Sequence, residues 1–193
     1  MERIVFCIVA LFVVCYAQVP TPCQSPKQWE GDMVLFDASK DFTEKSRIIY
    51  DETNMRERTI EEIEVGKERD YYEVLRLFNE RKEYRLNLRT KKCNVTTIMY
   101  PFRVRGVPSD AKFLFEGVIG ASSIPYEHFT AVTFGGEYTT DHVKYATTVT
   151  FPDCIPVADN YYNDVTSYVE SRYFDIHAGI TDPMAFIPPT ECA

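Results

Sequence analysis

KEYRLNLRTKKCNVTT, residues 82–97, is the stretch from which the fold can be read. Its first half alternates strictly: Tyr84, Leu86 and Leu88 fall on one side, and Glu83, Arg85, Asn87 and Arg89 on the other. A period of two residues marks a strand with one dry face and one wet face, whereas a helix would scatter the same side chains around its circumference. The stretch then reaches Cys93, and Asn94-Val95-Thr96 is an acceptor for an N-linked glycan. One segment therefore predicts antiparallel β architecture, a disulfide anchor and export from the cell.

The amino terminus agrees with export. Ile4 to Val14 is an unbroken apolar run that follows Arg3 and leads into Cys15-Tyr16-Ala17. As a helix it would reach only ~16 Å, against a hydrocarbon core of ~30 Å. Residues 1–17 read as a secretory signal cut after Ala17, leaving residues 18–193 as a single domain. No second apolar run approaches membrane length, so no transmembrane segment is expected.

The chain has six cysteines, of which Cys7 and Cys15 leave with the signal. Cys23, Cys93, Cys154 and Cys192 remain, an even number that in an exported chain reads as two disulfides. Their spacing suits neither a zinc knuckle nor a redox dithiol, and it leaves all three pairings open. Charge is unevenly placed: residues 81–115 carry nine basic and two acidic side chains, and residues 116–193 carry two basic and eleven acidic ones, within a net charge of −8. The expectation is that these segments neutralise one another across paired strands and that there is no nucleic-acid face.

The rest of the chain extends the β pattern. Strands are predicted at residues 29–37, 45–51, 112–120, 129–138 and 144–151, and extended chain at 98–102, 103–107 and 170–176. Residues 56–65 are dense in charge, yet Thr59, Ile63 and Val65 recur at strand spacing. A solvated helix competes over residues 59–79, where Tyr71, Tyr72, Val74, Leu75, Leu77 and Phe78 fit a strand slightly better. A short helix is expected within residues 159–169. Nine or ten short strands in one domain predict two antiparallel sheets or an open barrel.

Little chemistry of catalysis is visible. His128, His142 and His177 sit in no metal-binding or nucleophile-activating pattern, and the reading is not an enzyme. Calcium is the cofactor to consider: Asp153, Asp159, Asn160, Asp164, Asp175 and Asp182 offer oxygens, and weak extracellular sites fill at ~10⁻⁴–10⁻³ M. They form no EF-hand loop, and turn capping explains any one of them equally well, so the metal ligands stay unassigned. Thirteen Phe, thirteen Tyr and one Trp fill a core, or line a cavity if the sheets splay apart.

Several segments, in order, resemble the ependymin-related proteins: CQSPKQWEG at residues 23–31, RIIYDETN at 47–54, Pro101-Phe102, Asp153-Cys154-x-Pro156, and YFDIHAGITDPMAFIPPTEC at 173–192. The similarity runs over the whole mature chain. It implies an all-β fold with minor helix: two stacked, curved antiparallel sheets forming a half-open barrel around a hydrophobic pocket, stapled by Cys23–Cys154 and Cys93–Cys192. It implies a secreted glycoprotein, also found in lysosomes in vertebrates, that binds calcium, forms a homodimer and takes part in cell–matrix contact. Asn94 is the expected glycan site. Phe113, Phe115, Ile119, Tyr145, Val149 and Phe151 are the expected pocket lining for a hydrophobic or lipid-like ligand. The alternative is a matrix or adhesion protein, with a partner such as collagen and no internal ligand.

Overall fold

A computed structural model of the chain describes residues 19–140, 142–163 and 167–192. The expected signal sequence at residues 1–17 and the candidate calcium ligand Asp164 lie outside the described residues. The chain opens with a meander of six strands: β1 (Gln28–Asp37), β2 (Phe42–Asp51), β3 (Arg56–Val65), β4 (Glu68–Leu77), β5 (Lys82–Asn87) and β6 (Cys93–Thr97). A second meander follows: β7 (Lys112–Gly120), β8 (His128–Tyr138), β9 (Val143–Thr150), β10 (Pro156–Asn163) and β11 (Ser167–Ala178). Every adjacent pair is antiparallel.

The last strand pairs with the first. Met33 lies opposite Tyr173 and Leu35 opposite Ser171. The two meanders are thereby joined into one open sheet of eleven strands, in the order β6-β5-β4-β3-β2-β1-β11-β10-β9-β8-β7. The all-β, antiparallel, disulfide-stapled architecture expected from the sequence is present, and the hydrogen-bonded ladder is continuous across both meanders. Residues 159–163 and 167–169 are strand where the sequence predicts a short helix, and the extended chain expected at 170–176 is present within β11. Tyr161 pairs with Tyr145 on one side and Val169 on the other, and this tertiary pairing outweighs local preference. The charged stretches of β3 and β4 are strands too, and the competing helix does not form.

Strands β6 and β7 are consecutive in sequence but lie at opposite edges of the sheet. Ten strand spacings of ~4.8 Å separate them, or ~48 Å if the sheet were flat. The connection, residues 98–111, could cover that only when drawn out nearly straight, and its end is turned where Ala111 N donates to Pro108 O (3.1 Å). The sheet is therefore curved, and the crossover runs through its hollow. Residues 98–107, read from the sequence as extended chain, form no strand and cross one face of the sheet instead.

The crossover supplies the core of the inner face. Phe102 stacks on Tyr50 at 5.8 Å and meets Phe78 edge-on at 5.1 Å. Trp29, Met33, Ile48, Tyr50 and Tyr173 form the buried cluster beneath it. Further along, Val107 and Ala111 pack on Val132, Phe134, Tyr145 and Val149. On the outer face the C-terminal tail lays Ala185 and Phe186 over Leu75. There Arg58 donates to Ala185 O (2.6 Å), and the Arg56 guanidinium lies 4.0 Å from the Phe186 ring centre.

Two disulfides pin the segments that are not strands. Cys23–Cys154 fastens residues 19–27 to the chain between β9 and β10, and Cys93–Cys192 fastens the tail to β6. This is the pairing that the resemblance implies. The edge strand β6 also carries Asn94, whose side chain is exposed.

Candidate functional site beneath the crossover

The inner face of β3 reverses the usual order of a strand. Glu57, Thr59 and Glu61 are buried, while Ile60 is exposed. Burying carboxylates is costly unless they are paired and hydrogen-bonded. Register brings the partners: Glu57 lies opposite Arg76, and Arg76 opposite Glu83. Arg76 donates to Glu57 (3.1 Å), Glu61 (3.3 Å) and Glu83 (3.0 Å). Arg85 reaches the other oxygen of Glu61 at 3.3 Å.

The crossover adds the remaining guanidinium. Arg105 grips Glu57 with both Nε (2.7 Å) and Nη2 (2.9 Å), a fork that fixes orientation as well as distance. Its Nη1 donates to the Tyr173 hydroxyl (3.1 Å), which donates in turn to Asp159 (2.7 Å). Thr147 donates to the second Asp159 oxygen, also at 2.7 Å. Burial pushes the Glu57 carboxyl up, but Arg105 and Arg76 outweigh it and hold the group below its usual range. Burial raises Asp159, and the hydrogen bonds from Tyr173 and Thr147 offset only part of that.

Glu44 is different. Glu57, Glu61 and Glu83 are each held by a guanidinium and Asp159 by two hydroxyls, but Glu44 has no ion pair among the described residues. Burial first, and the charge of Glu61 second, push its carboxyl up to about 7. The native state therefore holds an extra proton between the ordinary value near 4.5 and about 7, and stability declines as pH rises through that window. Replacing Glu44 by Gln removes the titration. At pH 8 the variant is expected to be the more stable protein, by on the order of 2–3 kcal/mol relative to its standing at pH 4.5. Urea unfolding of both proteins across pH 4.5–8 checks this; parallel pH profiles would contradict it.

Glu44 stands at the edge of a cleft of about 280 Å³ between sheet and crossover. Met33, Leu35 and Ser171 of the sheet line it, with the rings of Phe78, Tyr100, Phe102 and Tyr161 and the charged side chains of Glu57, Arg76, Arg103 and Arg105. A second void, about 680 Å³, shares Phe102 and Arg103 with the first and lies between the crossover and residues 21–25. A third, about 780 Å³, shares Thr21, Pro22 and Cys23 with the second. Val19, Val132, Phe134, Val149 and Phe151 make it largely apolar. The inner face thus carries a chain of hollows with a charged, aromatic end and an apolar end.

The six expected pocket residues are divided by the structure. Val149 and Phe151 line the apolar hollow. Phe113 and Tyr145 face inward and pack with Phe134 and Val149 in the core. Phe115 and Ile119 do not belong to the pocket. A one-residue bulge between Phe113 and Phe115 shifts the register, so that Phe115 lies opposite Thr133 on the outer side. Such a slip turns every later side chain to the other face, and Phe115 and Ile119 end on the exposed surface.

The calcium candidates with partners among the described residues have separate ones. Asp159 is buried and hydrogen-bonded as above, Asp182 caps the tail through Met184 N (2.9 Å), and Asp175 lies near Arg47 and His177. Among the described residues no three His, Cys, Asp or Glu side chains are grouped to hold a metal ion. The histidines are apart on exposed positions: His128 meets Ile124 O at 3.0 Å, His142 meets Glu137 at 3.0 Å and His177 meets Asp175 at 3.2 Å. No helix among the described residues is long and apolar enough to cross a membrane.

Comparison with known proteins bears on what such a face is for. A family model described as Ependymin matches residues 66–192. The chain belongs to the ependymin family. It is 27% identical over 175 residues to mammalian ependymin-related protein 1 of Rattus norvegicus and of Mus musculus, covering 90% of this chain and 77% of each relative. It is 24% identical to ependymin-2 of Carassius auratus, covering 89% of this chain and 79% of the relative. An uncharacterized conserved protein from Thermus thermophilus shares the fold, with a TM-score of 0.51 at 10% identity over 86% of this chain and 88% of that one. The ependymin match takes in the crossover, β10, β11 and the tail, but it begins after β3 and so leaves out Glu44 and Glu57. The longer alignments to the ependymin relatives extend further along the chain.

Sequence reasoning missed Glu44, Glu57, Arg76, Phe102 and Arg105 as site residues. One signal was present: Glu57, Thr59 and Glu61 recur every second residue, which places two acids on one face of a strand. Their cationic partners are distant in sequence and become visible only once the strands are paired.

Proposed function

We propose that this protein is a secreted, non-catalytic glycoprotein that holds a hydrophobic, lipid-like ligand between its curved sheet and the crossover. The observation that carries the reading is the run of adjoining hollows on the inner face, apolar at the Val149–Phe151 end and aromatic at the Phe78–Phe102 end. Ligand pockets have this build: mostly apolar walls with a few placed polar groups, and volumes of roughly 300–1,000 Å³. A ligand there lies against packed strands and meets no paired nucleophile and base. Secretion follows from the expected signal sequence, the two disulfides and the Asn94 acceptor on an exposed edge strand. Calcium enters through the family resemblance alone, without an assigned ligand set, and so does the lysosome as a further location.

Native mass spectrometry of protein purified from culture medium tests the reading. The expected result is a glycan-bearing chain with a co-purifying adduct of lipid-like mass that organic solvent extracts, after which the stripped protein takes up N-phenyl-1-naphthylamine. A ligand-free mass, with no uptake of that probe, would remove the internal ligand. It would favour the second reading, a matrix or cell-contact protein working through its surface as a homodimer or on a partner such as collagen. One observation supports that alternative: β7 leaves Leu114, Phe115, Val118 and Ile119 exposed along an unpaired sheet edge.

A further inference from the structure

The hairpin of β7 and β8 is apolar on both faces and at its tip. Register puts Phe115, Ile119 and Phe129 on the outer face and Val118 on the inner one, and all four are exposed. Beyond them the turn carries Ile124, half exposed, and Tyr126, fully exposed. Folded surfaces normally scatter such residues singly, and a contiguous set marks a place of contact.

The turn is built to hold this shape. Gly120 has φ +101°, and a Cβ there would run into the Glu127 carbonyl. Ala121 N donates to Glu127 O (2.9 Å), Ile124 N to Ala121 O (2.9 Å) and Glu127 N to Ile124 O (3.3 Å), while His128 Nδ1 meets Ile124 O at 3.0 Å. Tyr126 has φ +66°, a left-handed backbone that ring-bearing residues rarely adopt. Residues 121–126, ASSIPY, carry no charge, and residues 113–143 contain no Lys or Arg. The base of the hairpin adjoins the apolar hollow. Glu116 of β7 lines that hollow, and so does the exposed Phe151, whose N–H donates to Thr130 O of β8 (2.9 Å).

Whatever covers such a hairpin must reach both faces and the tip at once. A strand added to the β7 edge would leave the faces bare. A partner laid on the outer face alone would find roughly 300 Å² of apolar surface, short of the apolar share of the ~800 Å² a side that a stable protein interface buries. A bilayer surrounds a projecting tip from all sides. The free N–H and C=O groups of the β7 edge cannot enter hydrocarbon, so insertion stops at the neck of the loop, with Glu127 and His128 among the headgroups. Without a cation between residues 113 and 143, the attraction is apolar and needs no anionic lipid. We propose that residues 121–126 dock this protein on zwitterionic lipid bilayers, with Ile124 and Tyr126 entering the interface, a position that suits a tyrosine ring. Val118, Ile119 and Phe129 follow at headgroup level. The inference rests on the ligand reading above for its use: the hollow lined by Glu116 and Phe151 then stands beside a source of lipid-like ligand.

Flotation of the full secreted chain with dioleoylphosphatidylcholine vesicles tests the docking. Binding is expected, and it should change by less than about twofold between low and high salt, since screening acts on charge and not on apolar contact. Ile124→Ser combined with Tyr126→Ser should lower the partition about tenfold or more, the scale of two lost apolar side chains. Both residues are exposed, so the double variant should unfold at the same urea concentration as the natural protein. Ile124→Trp places a tryptophan at the tip. Brominated phosphatidylcholine should quench its emission and leave that of Trp29, which is fully buried, unchanged. Equal partition by the double variant, or binding that appears only with phosphatidylserine at low salt, would overturn the docking. So would a dimer in solution that the double variant abolishes, with no vesicle binding by the natural chain, which would assign the hairpin to a second copy. Uptake of N-phenyl-1-naphthylamine without vesicles separates this inference from the ligand reading. Uptake with no vesicle binding overturns the docking alone. Vesicle binding that the double variant loses, with no uptake, supports the docking and removes the ligand reading.

Discussion

Glu57→Ala is expected to lower the unfolding free energy by about 3–5 kcal/mol, the usual cost of removing one partner from a buried ion pair. Glu57 receives Arg105 through two hydrogen bonds and Arg76 through a third. Arg76 would keep Glu61 and Glu83. Among the described residues, the half-buried Arg105 guanidinium would keep the Tyr173 hydroxyl and the Met33 sulfur, and a stranded charge accounts for most of the loss. The second substitution in a cycle separates this cause from simple loss of packing. Arg105→Met added to Glu57→Ala should restore part of the stability, because two neutral side chains leave no uncompensated charge. Denaturant unfolding measures all three proteins. A single-variant loss under about 1 kcal/mol, or purely additive effects, would show that the pair does not hold the crossover to the sheet.

The second large effect concerns sulfur. Replacing Cys23 and Cys154 together by Ser is expected to cost roughly 4–5 kcal/mol, since the bridge closes a loop well over a hundred residues long. Cys93 and Cys192, with a sequence separation of 99 against 131, should cost nearly as much on chain entropy alone. Packing distinguishes them. Cys154 is buried in the cluster with Val107, Val132 and Phe134, while Cys93 and Cys192 are only partly buried. Loss of the first bridge also frees residues 19–27, which wall two of the three hollows. Its removal should therefore weaken uptake of the apolar probe as well as stability, whereas removal of Cys93–Cys192 should affect stability alone. Equal probe uptake by the two double variants would contradict this division.

Much of the fold was legible because strand alternation is a local property. Tyr84 and Leu86 in β5, and Tyr145, Thr147 and Val149 in β9, point one way simply because each residue turns by half a revolution from its neighbour. The disulfides were legible in number but not in partner, because an even count of exported cysteines carries no information on proximity. Other features were concealed for reasons that can be named. Strand β3 buries acids and exposes Ile60, so its hydrophobic pattern points the wrong way. Strand β10 is held by neighbours on both sides, and no local signal announces them. Counting in twos from Phe113 places Phe115 in the pocket, and the bulge between them makes that count fail.

By itself the sequence determined an antiparallel β protein with two bridges, and it predicted export. These follow from residue type and short-range period, which need no knowledge of what lies opposite. Only the tertiary structure decided that the strands join through β1 and β11, that residues 98–111 cross the hollow from edge to edge, and that Glu44 stands without an ion pair among the described residues beside an aromatic cleft. The reason is that burial and charge balance are relations between segments. Arg105 meets Glu57 across 48 positions of sequence, and no reading of either neighbourhood alone contains the other.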